Sequence, residues 1–324
     1  LLGWLLQAVI QLPSLKRTGF RFRPGLPLGS EGMKKVFALM GPVMVSTWVQ
    51  PINLVINSRF GSRLYDGGGV AVLEYSTNLY LVIAGTFVLS VTNVIFPRLS
   101  RMAAGERQGE LEDALRTSLH GTLFFVLPMA AGLMLLARPL ISFLYGGGQF
   151  DGQSVELTAS ALTWLSLGMV GYAAQNILSR AYFARQKGMA PLVAGVCSIG
   201  ANLLLCALLA EPMGIVGLAL SSAVSSTVYA LLLLTPMQRE RVVNGALVRD
   251  LGKMLLCTLL MAAAVWAVRG GLGPLLPAGK AGELLLMAAC ALIGCAVYFT
   301  AAALTDLPEG RLLRQLAGRL GKAG

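Results

Sequence analysis

A chain of 324 residues with 56% apolar and only 13% charged residues does not have the composition of a soluble domain, in which about a quarter of the residues carry charge. The mean hydropathy of +0.70 agrees, and the net charge of +11 comes without a basic stripe interleaved with aromatics, so a nucleic-acid surface is excluded. The apolar runs are helix-length and lack strand-like alternation, which argues against an outer-membrane barrel. The expected fold is an all-α integral membrane protein: a polytopic helical bundle of eight complete transmembrane helices plus the end of an earlier one.

In chain order, residues 1–12 (LLGWLLQAVIQL) are apolar but shorter than the roughly 20 residues a bilayer crossing needs. With no initiator Met and no basic segment ahead of them they make a poor signal peptide. They are expected to be the end of a truncated upstream helix. Residues 13–35 form a basic loop with Lys16, Arg17, Arg21, Arg23, Lys34 and Lys35. The first complete span, 36–58, contains Pro42 and Pro51, and carries Gln50, Asn53 and Asn57 in its second half, with Arg59 at its outer end. Pro51 removes an intrahelical hydrogen bond and frees a carbonyl that needs another partner. A broken, amide-bearing helix fits a simple packing kink as well as it fits a transporter helix that binds solute or ion.

After a short glycine loop (Gly67, Gly68, Gly69), the second span, 75–97, has no charge between Glu74 and Arg98. It nevertheless carries Thr77, Asn78, Tyr80, Thr86, Ser90, Thr92 and Asn93, and Pro97-Arg98 closes it. A helix facing only lipid gains nothing from these groups. Interhelical hydrogen bonding and the wall of a solute path both account for them. A charged connector, 98–116, reads as a solvated helix or loop. The third span, 118–137, has His120 at its start, read as structural, holds Pro128, and ends near Arg138-Pro139. The turn Leu144-Tyr-Gly-Gly-Gly-Gln-Phe150 follows. The fourth span, 157–179, contains Gln175 and Asn176, and the fifth, 189–210, contains Asn202. The sixth, 215–235, carries Gly217, Ser221, Ser222, Ser225 and Ser226, small residues at spacings that let helices approach closely. A basic connector precedes the seventh span, 254–268. The eighth, 283–304, leads to a basic tail, 306–324, in which Arg311, Leu312, Leu313, Leu316 and Leu320 suit an interfacial amphipathic helix.

The domain reading is therefore a six-helix unit at 36–236, two additional helices within 237–305, and basic flanks. Lys and Arg fall in alternate loops: 21 of the 26 lie on one side if the first loop is cytoplasmic, and Arg59, Arg63, Arg138, Arg269 and Lys280 on the other. That bias fixes a multi-pass topology with a cytoplasmic C-terminus and a basic rim suited to anionic membrane lipids. The five cysteines (Cys197, Cys206, Cys257, Cys290, Cys295) sit in apolar runs without metal-ligand spacing and read as small buried hydrophobes. With no nucleophile elbow, phosphate loop or carboxylate pair, neither an enzyme nor a metal site is expected.

Several motifs, in order and at matching spacing across about 30–235, resemble the lipid II flippase family of bacteria, the MviN/MurJ branch of the multidrug/oligosaccharidyl-lipid/polysaccharide exporter superfamily. They are Gly41-Pro-Val-Met with Asn53 and Asn57, Tyr75-Ser-Thr-Asn78-Leu running on to Phe96-Pro-Arg-Leu-Ser100, Leu144–Phe150, Arg180–Pro191, and Gly217-Leu-Ala-Leu-Ser-Ser. The resemblance implies two six-helix lobes around a central cavity of alternating access in the bacterial cytoplasmic (inner) membrane. This chain would supply the second lobe and the additional pair, and its partner would be a missing N-terminal lobe of the same protein. The implied substrate is the undecaprenyl-linked peptidoglycan precursor, its head in the polar cavity and its tail along a groove made with the seventh and eighth spans. Substrate-cavity candidates are Gln50, Asn53, Asn57, Arg59, Asn78, Asn93, Gln175 and Asn176. Where the family pattern Tyr-x-x-Arg-Leu has arginine, this chain has Asn78, which can hydrogen-bond a phosphate but cannot neutralise it; Arg59 is the candidate to compensate. Some members hold a sodium ion among the matching helices, which makes Asn53, Asn202 and Ser225 candidates, with sodium or the membrane potential as the coupling source and no cofactor. An exporter of another lipid-linked polysaccharide or of drugs, and a non-transporting membrane scaffold, are the alternatives.

Overall fold

The computed structural model describes residues 4–7, 9–10, 13, 31–105, 108–238, 245–277, 279–305 and 307–310. Lys16, Arg17, Arg21, Arg23, Arg107, Arg239, Arg241 and the expected amphipathic helix at 311–320 lie outside these residues. The chain divides into two compact units, Leu1–Gly41 and Pro42–Gly324. In the first, residues 4–7 and 9–10 are helical and α1 (Glu31–Thr47) begins. The second contains α2 (Val49–Gly61), α3 (Gly68–Tyr80), α4 (Thr86–Ala104), α5 (Gln108–Tyr145), α6 (Gly152–Leu167), α7 (Met169–Ala184), α8 (Met189–Met213), α9 (Ile215–Gln238), α10 (Gly245–Leu272) and α11 (Lys280–Leu304).

Six stretches among the described residues are long and apolar enough to cross a bilayer: Tyr65–Ala104, Gly109–Tyr145, Met189–Met213, Ile215–Met237, Gly245–Leu275 and Lys280–Leu304. The pair α6–α7, bent by 45°, makes a seventh if it counts as one span. The expected span at 36–58 is divided at Trp48 into α1 and α2, of 17 and 13 residues, and neither half meets that length. Pro51 is the third residue of α2, where the first N–H groups of a helix have no intrahelical partner in any case. The break therefore falls just before it.

Other boundaries shift for physical reasons. Pro97 was expected to close its span, yet α4 runs on to Ala104. The 38-residue α5 likewise passes through both Pro128 and Pro139. Each proline frees the carbonyl four residues earlier, and in α5 both freed carbonyls are met from neighbouring helices. Tyr298 Oη donates to Phe124 O at 2.6 Å, and Arg269 Nη1 donates to Leu135 O at 2.7 Å. The donors belong to α11 and α10, so the prolines of α5 are also where the last helix pair docks. Between α3 and α4, Leu81–Gly85 forms a wider turn with i→i+5 bonding, the kind of defect that recurs at functional sites.

The bend between α6 and α7 is at Gly168. A Cβ built there would lie 2.6 Å from Ala223 Cα, and one on Gly171 would lie 2.7 Å from Thr227 N. Helix α7 thus rests almost backbone to backbone on α9 at Ala223 and Thr227, and of the small residues named for α9 Gly217 makes the expected close approach, to the Leu209 backbone of α8. Helix α9 packs against α6, α7 and α8, and the α10–α11 pair packs on α5. The loop at Leu144–Phe150 is a tight turn closed by hydrogen bonds between Gly147 and Phe150, and Gly147 and Gly148 supply its positive φ angles. Asp151 then caps α6, accepting from Ser154 N at 2.8 Å, and that bond holds its carboxyl below the usual carboxylate range.

His120 lies between two carboxylates. Its Nδ1 lies 2.9 Å from Glu309 Oε1 and its Nε2 3.5 Å from Asp250 Oδ2, linking α5, the start of α10 and the segment after α11. The cysteines divide: Cys206, Cys257 and Cys290 are buried, whereas Cys197 and Cys295 are exposed on helix faces. Exposed faces here are apolar, with Leu204, Leu259 and Leu292 among their residues. A small hydrophobe therefore sits as readily outside as inside when the surrounding solvent is lipid.

Candidate functional site

Asn53 and Asn57 are four residues apart and so share a face of α2, which meets α8 and α9. Asn57 Nδ2 donates to Ser222 Oγ at 2.6 Å, and its Oδ1 accepts from Asn202 Nδ2 and from Cys206 Sγ, each at 3.2 Å. Asn53 Nδ2 donates to Ser225 Oγ at 3.2 Å. Ser225 and Ser198 are bonded reciprocally, with their hydroxyl oxygens 2.8 Å apart. Ser198, Asn202 and Cys206 recur every fourth residue along α8. Three helices are zipped by one strip of amides, hydroxyls and a thiol.

The three sodium candidates, Asn53, Asn202 and Ser225, are brought together here. Of their side-chain oxygens, Asn53 Oδ1 is buried without a hydrogen-bond partner, Asn202 Oδ1 has only the Cys206 thiol at 3.9 Å, whose hydrogen already serves Asn57 Oδ1 at 3.2 Å, and Ser225 Oγ is engaged in the zipper. No cluster of three or more Asp, Glu, His or Cys residues that could hold a metal occurs among the described residues. The arrangement is that of a helix seam.

The open edge of this seam borders a cavity of about 480 Å³. Gln50, Asn53 and Asn57 of α2, with Ser222 and Ser226 of α9, form its polar side. Thr77, Tyr80, Leu81, Gly85 and Leu89 of the α3–α4 span face them, and Gly168 and Tyr172 complete the wall at the α6–α7 bend. Tyr80 and Tyr172 meet edge to face with ring centroids 5.9 Å apart. The wider turn at Leu81–Gly85 therefore lies on the cavity wall.

Three of the eight cavity candidates, Gln50, Asn53 and Asn57, line this space. Asn78, Asn93 and Arg59 are exposed and are not among the described residues lining it; Asn93 lies one turn beyond Leu89 on the same strip of α4. Gln175 and Asn176 line a second, smaller space of about 150 Å³ that shares Gln50 and Tyr172 with the first. Asn176 Nδ2 is bonded within its own helix, to Tyr172 O at 2.8 Å. Sequence reasoning missed Tyr172, for which no local pattern exists. It also read Cys206 as a plain hydrophobe, although the spacing Ser198, Asn202, Cys206 carries the zipper's period.

A third space, about 410 Å³, lies between α5 and the α10–α11 pair. Its lining is almost wholly apolar, with Phe125, Met129, Leu133, Val265, Met287 and Phe299 prominent. Polar cavity and apolar groove are thus separate features of one unit.

Comparison with known proteins gives this arrangement a family. A sequence model for the family described as lipid II flippase MurJ matches residues 1–272. The probable lipid II flippase MurJ of Haemophilus influenzae is 31% identical over 273 residues, covering 82% of this chain and 53% of that protein. Among solved structures, a lipid II flippase MurJ in an inward closed conformation superposes with a TM-score of 0.69 at 23% identity, over 93% of this chain and 60% of that one. An outward-facing multidrug resistance MATE family transporter of the MOP superfamily gives 0.50 at 16% identity, over 83% and 63%. Likeness at those identities is one of fold. The chain spans about half the length of the curated relatives it matches. With the family match running through both the six-helix unit and the whole of α10, this chain belongs to the lipid II flippase MurJ family.

Proposed function

We propose that this chain is the second lobe, with its additional helix pair, of a flippase that carries the undecaprenyl-linked peptidoglycan precursor across the bacterial cytoplasmic membrane by alternating access. The carrying observation is the pairing of a polar-sided cavity at Gln50, Asn53, Asn57 and Ser222 with a separate apolar groove at α5, α10 and α11. An amphiphile with a sugar–diphosphate head and a polyprenyl tail needs both. The head exchanges water for amides and hydroxyls, and the tail stays in apolar contact, so neither part is left uncompensated at bilayer depth. The proline breaks and the bend at Gly168 divide the lobe into segments able to rock against a second lobe.

On this reading the segment at 36–58 is an eighth crossing, and the 21-to-5 division of Lys and Arg puts the C-terminus in the cytoplasm. The shortfall in length against its relatives supports an N-terminal lobe as partner. The test is depletion in cells that depend on the native gene encoding this chain. Lipid II is expected to build up in the inner leaflet and growth to fail with loss of cell shape, and re-expression to restore both. Depletion without precursor build-up overturns the proposal.

A further inference from the structure

The smaller space beside the main cavity has its own chemistry. It lies between the end of α1, at Ser46 and Thr47, and the second half of α7. Gln175, only 4% exposed, lines it, and Gln175 Oε1 has no hydrogen-bond partner. Buried amide groups are rarely left so, and a terminal amide can turn over to present either its oxygen or its NH₂. Next along the helix, Ser179 and Arg180 complete the polar wall. Arg180 is half-buried and stacks its guanidinium 5.6 Å from the centroid of the Phe96 ring. No carboxylate pairs with it among the described residues.

Charge makes this pocket distinct. The described residues lining the main cavity are amides, hydroxyls and apolar groups, none formally charged. Among the described residues, Arg180 is the one charged side chain on either wall. A guanidinium is always protonated, and a half-buried one without a counter-charge is unfavourable until an anion arrives. The ring contact offsets part of that cost and leaves the guanidinium N–H groups for an anion. A planar donor fork beside a free amide matches the oxygens of a phosphate.

We infer that this pocket is an anion subsite for a phosphate-bearing group, with Arg180 supplying the charge and Gln175 a hydrogen bond. The inference rests on the transport reading above, and it places the diphosphate of a lipid-linked substrate beyond Tyr172 while the sugar faces the Asn53–Asn57 strip.

The test uses the full-length native protein in lipid nanodiscs with three probes: undecaprenyl diphosphate, undecaprenol and inorganic pyrophosphate. Arg180→Gln is expected to weaken undecaprenyl diphosphate binding about tenfold, the share of one charge-assisted contact, with Arg180→Lys recovering most of it and undecaprenol binding unchanged. Wild-type binding of the diphosphate lipid should fall with added salt, and that sensitivity should shrink in Arg180→Gln. Should Arg180→Gln fail to fold, Gln175→Met keeps the volume, removes the free amide and should weaken the same probe several-fold. Arg180-dependent binding of pyrophosphate as tight as that of the lipid supports the phosphate site and assigns it a soluble ligand; preference for the lipid assigns it the substrate head. Undecaprenyl diphosphate binding that is salt-insensitive and equal in wild type and variants overturns the subsite. If wild type still translocates lipid II in that case, the transport reading survives; if wild type neither binds nor translocates, both fall.

Discussion

The α2–α8–α9 seam and the α5–α10–α11 bundle solve one problem in two ways. Both hold long apolar helices together where lipid offers no hydrophobic drive for association, so packing and interhelical hydrogen bonds must do it. The seam uses side chain to side chain bonds, with Asn57 alone joined to Ser222, Asn202 and Cys206. The bundle keeps polar groups few and aims them at backbone: Tyr298 and Arg269 answer the carbonyls freed by Pro128 and Pro139, and His120 sits between two carboxylates. Polarity in these two regions is therefore mostly glue, and of the seam only the unzipped edge faces a cavity. The apolar groove, by contrast, opens where the sequence looks least remarked by polar groups.

Breaking the seam should be the more damaging. Gly217→Leu drives a side chain of α9 into the Leu209 backbone of α8, and overpacking against backbone that cannot yield costs about 3 kcal/mol or more. Loss of monodisperse protein on size-exclusion chromatography is expected. In the bundle, Gly294→Ala meets the movable Val265 Cγ2 at 3.0 Å and should leave the elution profile intact. Equal damage from both would erase the distinction. Asn57→Leu removes three bonds, each about 0.6 kcal/mol on average between membrane helices, and strands partners that were buried with it. A loss of about 2–3 kcal/mol is expected as a lowered melting temperature in detergent. Asn78→Leu, on an exposed position, should shift melting by less than about 0.5 kcal/mol.

The two regions were not equally legible in the sequence. Composition and run length found every helix of the bundle, because apolar segments of membrane length have few other fates. The spacing of Asn53 and Asn57 and the small residues of α9 pointed to a polar seam between helices. Whether an amide faced the seam or the cavity could not be read, since helices apolar nearly all round have no marked face. Asn78 and Asn93 looked equivalent to Gln50 yet do not line the cavity. Pro51 was taken as the residue that breaks its helix, but the freed carbonyls that recruit partners belong to Pro128 and Pro139, and their donors lie 130 or more residues further along the chain. Such long-range pairs leave no local trace. Arg180 was counted only as a loop charge for the same reason: its stacking on Phe96 joins two spans far apart in sequence.

Within the bundle, smaller changes separate one contact from another. Glu309→Gln replaces a charge-assisted contact to His120 Nδ1 with a neutral one and should loosen the docking of α10 and α11 by about 1 kcal/mol. Buried Cys290 then labels with maleimide about fivefold faster, while Asn57→Leu should leave that rate unchanged, since the seam lies elsewhere. Unchanged labelling in Glu309→Gln would mean that the histidine is bystander to the docking.

The smaller of the two effects within the bundle is the more diagnostic. Tyr298→Phe keeps the ring tilted against Phe124 at 5.2 Å and deletes only the hydroxyl that answers the Phe124 carbonyl. A single such bond is worth about 0.6 kcal/mol. The carbonyl needs that hydroxyl only because Pro128 cannot donate to it. Pro128→Ala restores an N–H at the right place in the helix, so in that background Tyr298→Phe should have almost no effect on the melting temperature. The double-mutant cycle then returns a coupling of about the full bond. An undiminished loss in the Pro128→Ala background would mean that the tyrosine stabilises the bundle through its buried surroundings, and that the match between α5 prolines and donors on the last two helices is incidental.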